Sequence, residues 1–401
     1  MDAFVSLNSW NEPGAILQAA GAEEIVAGGW DEWDRLRDLL ARRRRTGRDS
    51  VHPQSAAVGY ITYEGAFCFA WFPRIAVLRE NGFSELWNQR RASWVARTTC
   101  CPGSREAISR EQEVAEWRSN MSRAEFEARV ARAQEYIAAG DIYQVNLAQK
   151  FSTRFDGNPY RLFEHLLARS PAPGGAFLDF GDGPDGVRVL SASPELFLRI
   201  RGRHVTTRPI KGTRPRSRDP MRDEQLAFEL LTDPKELAEL VMITDLERND
   251  LGRICEYGSV TVTQLVQLER FPQVHHLVST VEGLLRPGLD ALDTVRACIP
   301  GGSISGAPKK RACEIIAELE PCPRGIYTGI IGYFDDSGDA AFSIAIRTMV
   351  QESDTLHFSV GSGITAGSVP AREYDETLHK AAGMRMALEA YAVASESRTA
   401  R

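Results

Sequence analysis

No apolar run in this sequence approaches the roughly 18 residues that a membrane-spanning helix needs, so no membrane partner is expected. Cysteine is sparse and scattered. Cys68, Cys100, Cys101, Cys255, Cys298, Cys313 and Cys322 form no C-x-x-C pair, and their number is odd. That pattern speaks against a zinc cluster and a disulfide framework and predicts reduced thiols in a cytoplasmic protein. An H-E-x-x-H stretch is missing. So is a Walker A loop, because Lys309 and Lys310 are followed by Arg311 and not by Ser or Thr. There is no excess of positive charge either. The formal net charge of −6 argues against nucleic acid as a partner, yet leaves room for a local basic pocket around a small anion. The start, Met1-Asp2-Ala3-Phe4-Val5, has neither the basic residues nor the apolar stretch of a signal peptide. Internal repeats and low-complexity tracts are also missing.

What remains is an ordinary globular composition, 43% hydrophobic and 25% charged over 401 residues, enough for two average domains or one large one. Residues 31–45 read as a charged helix ending in Arg42-Arg43-Arg44-Arg45, either a solvated helix end or a patch for a partner. Residues 56–72 read as strand, and 98–118 as a polar linker that separates an N-terminal portion, 1–118, from 119–395 and a tail, 396–401. Ser122 with Glu125 forms a capping box for a helix over 122–139, with Phe126, Val130, Ala133 and Ile137 as its apolar stripe and Gly140 as its stop. The alternation in 141–150 predicts a strand with Tyr143, Val145 and Leu147 on one face and Gln144 and Asn146 on the other. Asp233-Pro234 opens a helix reaching about Arg248. Strands are expected over 327–334, 341–350 and 356–360, then a tight Gly361-Ser362-Gly363 turn and a helix over 370–394.

The chemistry concentrates in a few stretches. Residues 208–216 set Arg208, Lys211, Arg214 and Arg216 between Pro209, Gly212 and Pro215, which predicts a rigid turn presenting one amine. A solvated basic loop would read the same way. Like charge around Lys211 would lower its pKa and make it a better nucleophile. Glu236 and Glu239 lie three apart on one helix, beside Leu240 and Ile243, and Glu373 and Glu376 repeat the pattern, with Lys380 four beyond. Two E-x-x-E pairs suit one hard cation, Mg²⁺, although the second also fits a surface ion pair. Glu195, following Pro194, is a candidate general acid or base. A glycine-rich turn at 300–309 would aim backbone N–H groups at an anion. Together these point to a Mg²⁺-assisted enzyme acting on a small polycarboxylate.

Nine stretches in order carry a resemblance that covers about Met121 to Leu388. They are GDIYQVNLAQ (140–149), SASPELF (191–197), RPIKGTRPR (208–216), AELVMITDLERNDLGRIC (238–255), VHHLVST (274–280), PGGSISGAPK (300–309), RGIYTGIIGY (324–333), IAIRT (344–348) and EYDETLHKA (373–381). The chain resembles the chorismate-using enzymes, a family that includes anthranilate, isochorismate, salicylate and aminodeoxychorismate synthases. The resemblance implies an α+β fold: a single large four-layer αββα unit with two antiparallel sheets in the core and helices outside. It overrides a division into two domains.

The resemblance also implies roles. Glu239 and Glu376 would be direct Mg²⁺ ligands, with Glu236 and Glu373 supporting them, and Mg²⁺ would hold the ring carboxylate of chorismate. Arg347, Tyr327, Gly361 and Gly363 would take the enolpyruvyl carboxylate. Ser305, Gly212 and Thr213 would line the other end of the cleft, and Lys380 would reach toward the metal-bound carboxylate. Glu195 matches the acid that assists loss of the ring hydroxyl at carbon 4, and His276 a histidine near the departing group. Gln144 stands where the hydrating branches carry lysine, which argues against hydration. Lys211 stands where anthranilate and isochorismate synthases usually carry alanine. It implies the aminating branch, in which a covalent Lys211 adduct precedes 4-amino-4-deoxychorismate on the route to 4-aminobenzoate and folate. Anthranilate formation with loss of pyruvate is the alternative. A Leu-Leu-Glu-Ser stretch, which marks the tryptophan pocket of many relatives, is missing, as is a glutaminase domain. A separate glutamine amidotransferase subunit is therefore the implied ammonia source.

Overall fold

The computed structural model describes residues 3–45 apart from 11 and 13, then 51–78, 116–181 and 186–399. Most of the predicted linker at 98–118 lies outside these residues. Two antiparallel sheets form the core. The first runs Gly306–Ala307, Gln144–Arg154, Thr355–Ile364, Thr348–Glu352, Val187–Ser193, Gly174–Asp179, Phe4–Asn8, Ile16–Ala20 and Ala76–Leu78, with Arg118–Ser119 also against Gln144–Arg154. The second runs Ile210–Pro215, Val274–Leu284, His204–Arg208, Leu196–Arg201, Ala340–Ile344, Ile330–Asp335, Ala56–Ile61, Phe67–Phe72 and Glu24–Gly28, with Thr261–Arg270 also against Val274–Leu284.

Strand alternation sorts side chains between layers. Leu178 and Val189 of the first sheet meet Val58, Ala70, Ile331 and Tyr333 of the second in one buried cluster. Their neighbours Phe177 and Leu190 face the other way, against Leu162 and Leu166 of the helix Pro159–Arg169 and Met384 and Leu388 of the helix Pro370–Thr399. Beyond the second sheet, Phe69, Leu198 and Phe342 pack on Leu36 and Leu39 of the helix Trp33–Arg43 and on Leu292 and Val295 of Ala291–Cys298. This is the expected four-layer αββα arrangement. Strands from before residue 118 join both sheets. Among the described residues no helix is long and apolar enough to cross a membrane.

Local signals place the elements well where a cap is present. The helix Arg123–Ala138 begins on the Ser122–Glu125 capping box, and Gly140 adopts φ +82 behind it. Asp233 accepts hydrogen bonds from Lys235 N at 3.0 Å and Glu236 N at 3.2 Å, opening the helix Pro234–Gly252. The arginine run at 42–45 is surface: Arg42 pairs with Glu24 at 2.7 Å, Arg43 with Glu23 at 2.9 Å and Arg45 with Asp336 at 3.5 Å.

Four expectations need correction. Residues 208–216 are no isolated turn but the ends of two strands, His204–Arg208 and Ile210–Pro215. Gly361-Ser362-Gly363 is not a turn but the late part of the ten-residue strand Thr355–Ile364, fully paired with Gln144–Arg154. The single strand expected over 341–350 is two, broken at 345–347, where Arg347 takes φ +50. Tyr143 precedes its strand and is exposed, while Val145 and Leu147 are buried as expected.

Candidate active site

Two of the places where the chain crosses from one sheet to the other within two or three residues carry site candidates. Val187–Ser193 belongs to the first sheet and Leu196–Arg201 to the second, so Pro194 and Glu195 span the seam. Ala340–Ile344 belongs to the second and Thr348–Glu352 to the first, so Arg347 lies in the other crossing. Glu195 is 4% exposed and accepts Ile210 N–H at 3.3 Å. Burial pushes its pKa up, against the opposing pull of Ser303, Lys211, the Ile210 amide and Arg347, so the protonated acid is favoured. Burial pulls the Arg347 guanidinium down, and Glu195 works the other way. Among the described residues no carboxylate lies within ion-pair distance of Arg347, which leaves it available to an incoming anion.

Lys211 reaches this seam from the end strand of the second sheet. Pairing with Val274–Leu284 slips between Lys211, opposite Leu277, and Thr213, opposite His276. Gly212 occupies the bulge at φ +72, and a bulge of this kind re-aims the neighbouring side chain. A Cβ on Gly212 would come within 2.8 Å of Leu230 and 3.3 Å of Glu236 Oε2. The Lys211 amine donates to Ser303 O at 3.2 Å. Its pKa is lowered as expected, but by a different cause. Burial does most; Lys380 adds to it, while Glu239, Glu195 and Glu236 oppose it. The nearby arginines are occupied: Arg208 pairs with Glu269, Arg214 with Asp233 and Arg216 with Asp223.

Both glutamate pairs belong to elements around Lys211. Glu239 receives Gln144 Nε2 at 3.4 Å and lies 3.9 Å from Lys235. Burial, and then Glu239, push the Glu236 pKa up. Glu376 pairs with Lys380 at 2.7 Å; burial would raise its pKa, but Lys380 and the more distant Lys235 hold it low. Glu373 is 4% exposed and takes the Ser362 hydroxyl. Among the described residues no three His, Cys, Asp or Glu side chains gather closely enough to enclose a metal by themselves. The donor set still fits Mg²⁺. It consists only of carboxylate oxygens, and Mg²⁺ takes one or two carboxylates and fills the rest with water and anionic substrate.

The remaining candidates differ in how they face the cleft. A Cβ on Gly361 would meet Asn146 Nδ2, Leu147 O and the Tyr327 hydroxyl, each at 2.9 Å, and one on Gly363 would land on Gln144 Nε2. Lys380 Nζ donates to Gly361 O at 2.9 Å. Burial pushes the Tyr327 phenol up to about 12. The Ser305 hydroxyl donates to Gly301 O at 2.9 Å, and the residue is fully buried. His276 Nδ1 lies 3.0 Å from Thr213 Oγ1 and 3.2 Å from Gly212 O. Burial first, then Arg347, lowers its pKa to about 4, and Nε2 is buried without a partner among the described residues. Neutral His276 therefore offers a lone pair.

Buried charged groups that the motifs did not single out include three next to the site. Glu247 and Asp250 lie on the inward stripe of Pro234–Gly252 with Leu240, Ile243 and Leu251, and two acids on an apolar stripe were the available signal. Arg324 bonds Glu320 at 2.6 Å, Asn146 O at 2.6 Å and Ile304 O at 2.9 Å, tying the glycine turn to the strand Gln144–Arg154. Its place in RGIYTGIIGY gave no hint of that role.

Comparison with known proteins agrees with this geometry. A family described as chorismate binding enzyme matches residues 10–386. Anthranilate synthase component 1 of Streptomyces coelicolor is 49% identical over 272 residues, 68% of this chain and 53% of that protein. Aminodeoxychorismate synthase component 1 of Klebsiella aerogenes is 48% identical over 264 residues, 66% of this chain and 58% of that protein. The chain thus spans a little over half the length of the curated relatives it matches. The crystal structure of anthranilate synthase component I from Streptococcus pneumoniae superposes with a TM-score of 0.76 at 30% identity, covering 92% of each chain.

Proposed function

Because this chain belongs to the family of chorismate-binding enzymes, we propose that it converts chorismate and ammonia to 4-amino-4-deoxychorismate. The observation that carries this reading is the Lys211 amine. Burial lowers its pKa, a bulge aims it, and it is held by the Ser303 carbonyl, near the Glu195 carboxyl, whose pKa burial raises.

In the first step the Lys211 nitrogen attacks ring carbon 2, the two conjugated ring double bonds both shift, and the carbon 4–oxygen bond breaks. Glu195 gives its proton to the departing hydroxyl, which leaves as water. In the second step ammonia attacks carbon 4, both double bonds shift back, and the Lys211 amine is expelled from carbon 2. The surplus proton of the new amine returns to Glu195. The balance is chorismate plus ammonia to aminodeoxychorismate plus water. Arg347 and Tyr327 hold the enolpyruvyl carboxylate, in room left by the missing side chains of Gly361 and Gly363. Glu239 and Glu376, supported by Glu236 and Glu373, would hold Mg²⁺. Bound there, Mg²⁺ neutralises the ring carboxylate. Ammonia would come from a separate glutamine amidotransferase subunit.

Anthranilate formation is the second reading. The 49% identity to an anthranilate synthase component favours it, as does a neutral histidine with a free nitrogen. Incubating the purified chain with chorismate, Mg²⁺ and ammonium separates the two. Aminodeoxychorismate without pyruvate is expected, whereas anthranilate with equimolar pyruvate would replace the first reading with the second.

A further inference from the structure

The helix Pro234–Gly252 carries Glu236 and Glu239 near its start and Glu247 and Asp250 near its end. Glu239 and Glu247 are separated by about 12 Å of helix axis. Glu247 is 3% exposed and Asp250 2%. Carboxylates so placed need partners, and both find one on the glycine-rich segment. Glu247 Oε1 accepts Gly302 N–H at 2.9 Å. Asp250 takes the Lys309 ammonium, which also donates to Cys298 O at 3.0 Å. Residues 302–309, including the short helix Gly302–Ser305, are thus clamped at both ends to one helix. The packing is backbone-close, since a Cβ on Gly302 would sit 2.7 Å from Leu246 and 3.0 Å from Glu247 Oε1. The residue after Gly302 is Ser303, whose carbonyl receives Lys211 Nζ at 3.2 Å.

We infer that Glu247 is a positioning residue for the amination: by holding the Gly302 amide it fixes the Ser303 carbonyl against which the Lys211 amine is aimed. The same helix then sets the register between the Glu236–Glu239 pair and the nucleophile. This rests on Lys211 being that nucleophile. Burial pushes the Glu247 pKa up to about 7, but an oxygen accepts the Gly302 amide in either protonation state. Glutamine keeps that oxygen, and alanine removes it.

The test uses the full chain and two readouts. One is the pH profile of Lys211 acetylation by acetic anhydride without chorismate, read by mass spectrometry of the Lys211 peptide. The other is kcat and KM for chorismate with ammonium. In Glu247→Ala the Lys211 profile should shift by about half a pH unit or more. The same variant should lose roughly tenfold to a hundredfold in kcat, with a smaller change in KM. Glu247→Gln should keep kcat within about threefold of the parent and leave the Lys211 profile unshifted. A folded Glu247→Ala with unchanged profile and kcat overturns the inference. So does a Glu247→Gln as impaired as the alanine variant, because it retains the contact. If alanine prevents folding, Glu247→Asp decides: a shifted Lys211 profile supports the clamp and an unshifted one overturns it. The two readings fail separately. Pyruvate release by the unmodified chain removes the amination. Aminodeoxychorismate formation with an unmoved Lys211 profile in the variants removes only the clamp.

Discussion

Gly361 and Gly363 share one face of one strand, yet replacing each by alanine should do different damage. At Gly361 the new Cβ would lie 2.9 Å from Leu147 O, a backbone atom locked in strand pairing, and at the same distance from the Tyr327 hydroxyl and Asn146 Nδ2. Neither strand can retreat without breaking its ladder, so overpacking should cost about 1–3 kcal/mol. At Gly363 the Cβ falls on Gln144 Nε2, the far end of a flexible side chain. Gln144 can turn away, at the loss of its 3.4 Å contact to Glu239, about 0.5–1.5 kcal/mol. Fewer backbone states in the unfolded chain return about 0.4–1 kcal/mol. Gly363→Ala should therefore be nearly as stable as the parent but weaker in chorismate binding, while Gly361→Ala should be clearly less stable. Thermal unfolding by calorimetry and chorismate KM in the ammonium assay check both halves. Equal melting temperatures for all three proteins, or an unchanged KM in Gly363→Ala, would refute the argument that these glycines clear space for Tyr327 and Gln144.

Lys211→Ala should lower ammonium-dependent turnover by roughly a hundredfold or more without unfolding the chain; unimpaired turnover rules out the covalent step. Turnover should be bell-shaped in pH. It rises as Lys211, whose pKa lies below the ordinary lysine value, loses its proton, and falls as Glu195, whose pKa lies above the ordinary glutamate value, loses its own. Glu195→Gln should slow the reaction by about 10²–10⁴ and abolish the alkaline limb; a limb that survives assigns it elsewhere. Because His276 titrates near 4, no limb should appear at the ordinary histidine value of 6.5. Glu239→Gln and Glu376→Gln should each weaken Mg²⁺ binding measured by titration calorimetry in the presence of chorismate, and unchanged binding in both would remove these residues as ligands.

Much of the fold could be read from residues because the relevant signals are local. Ser122 and Glu125 cap one helix and Asp233 another, and no tertiary contact has to be known to see them. The strand errors share one cause. Gly361 and Gly363 look like turn residues until Gln144 and Asn146 of the neighbouring strand and Tyr327 of a turn are seen to occupy the missing side-chain space. The break at Arg347 depends on which sheet each half joins, and a run such as 341–350 does not encode that. Within the site, the residue types at Lys211 and the paired glutamates were visible. The cause of the Lys211 shift was not, since burial, which depends on the tertiary fold, and not the neighbouring arginines, lowers it.

Glu195 and Arg347 are covalently stitched to both sheets within a few residues. A slip of one sheet over the other would therefore drag both at once, and neither could stay in register with Lys211, which is fastened to the second sheet alone. The layer that resists such a slip is the packing of Leu178 and Val189 on Ile331 and Tyr333. On the proposed reading those side chains act as the mortar of the reaction geometry, and a void opened among them would loosen the aim of Glu195 and Arg347 without altering either group.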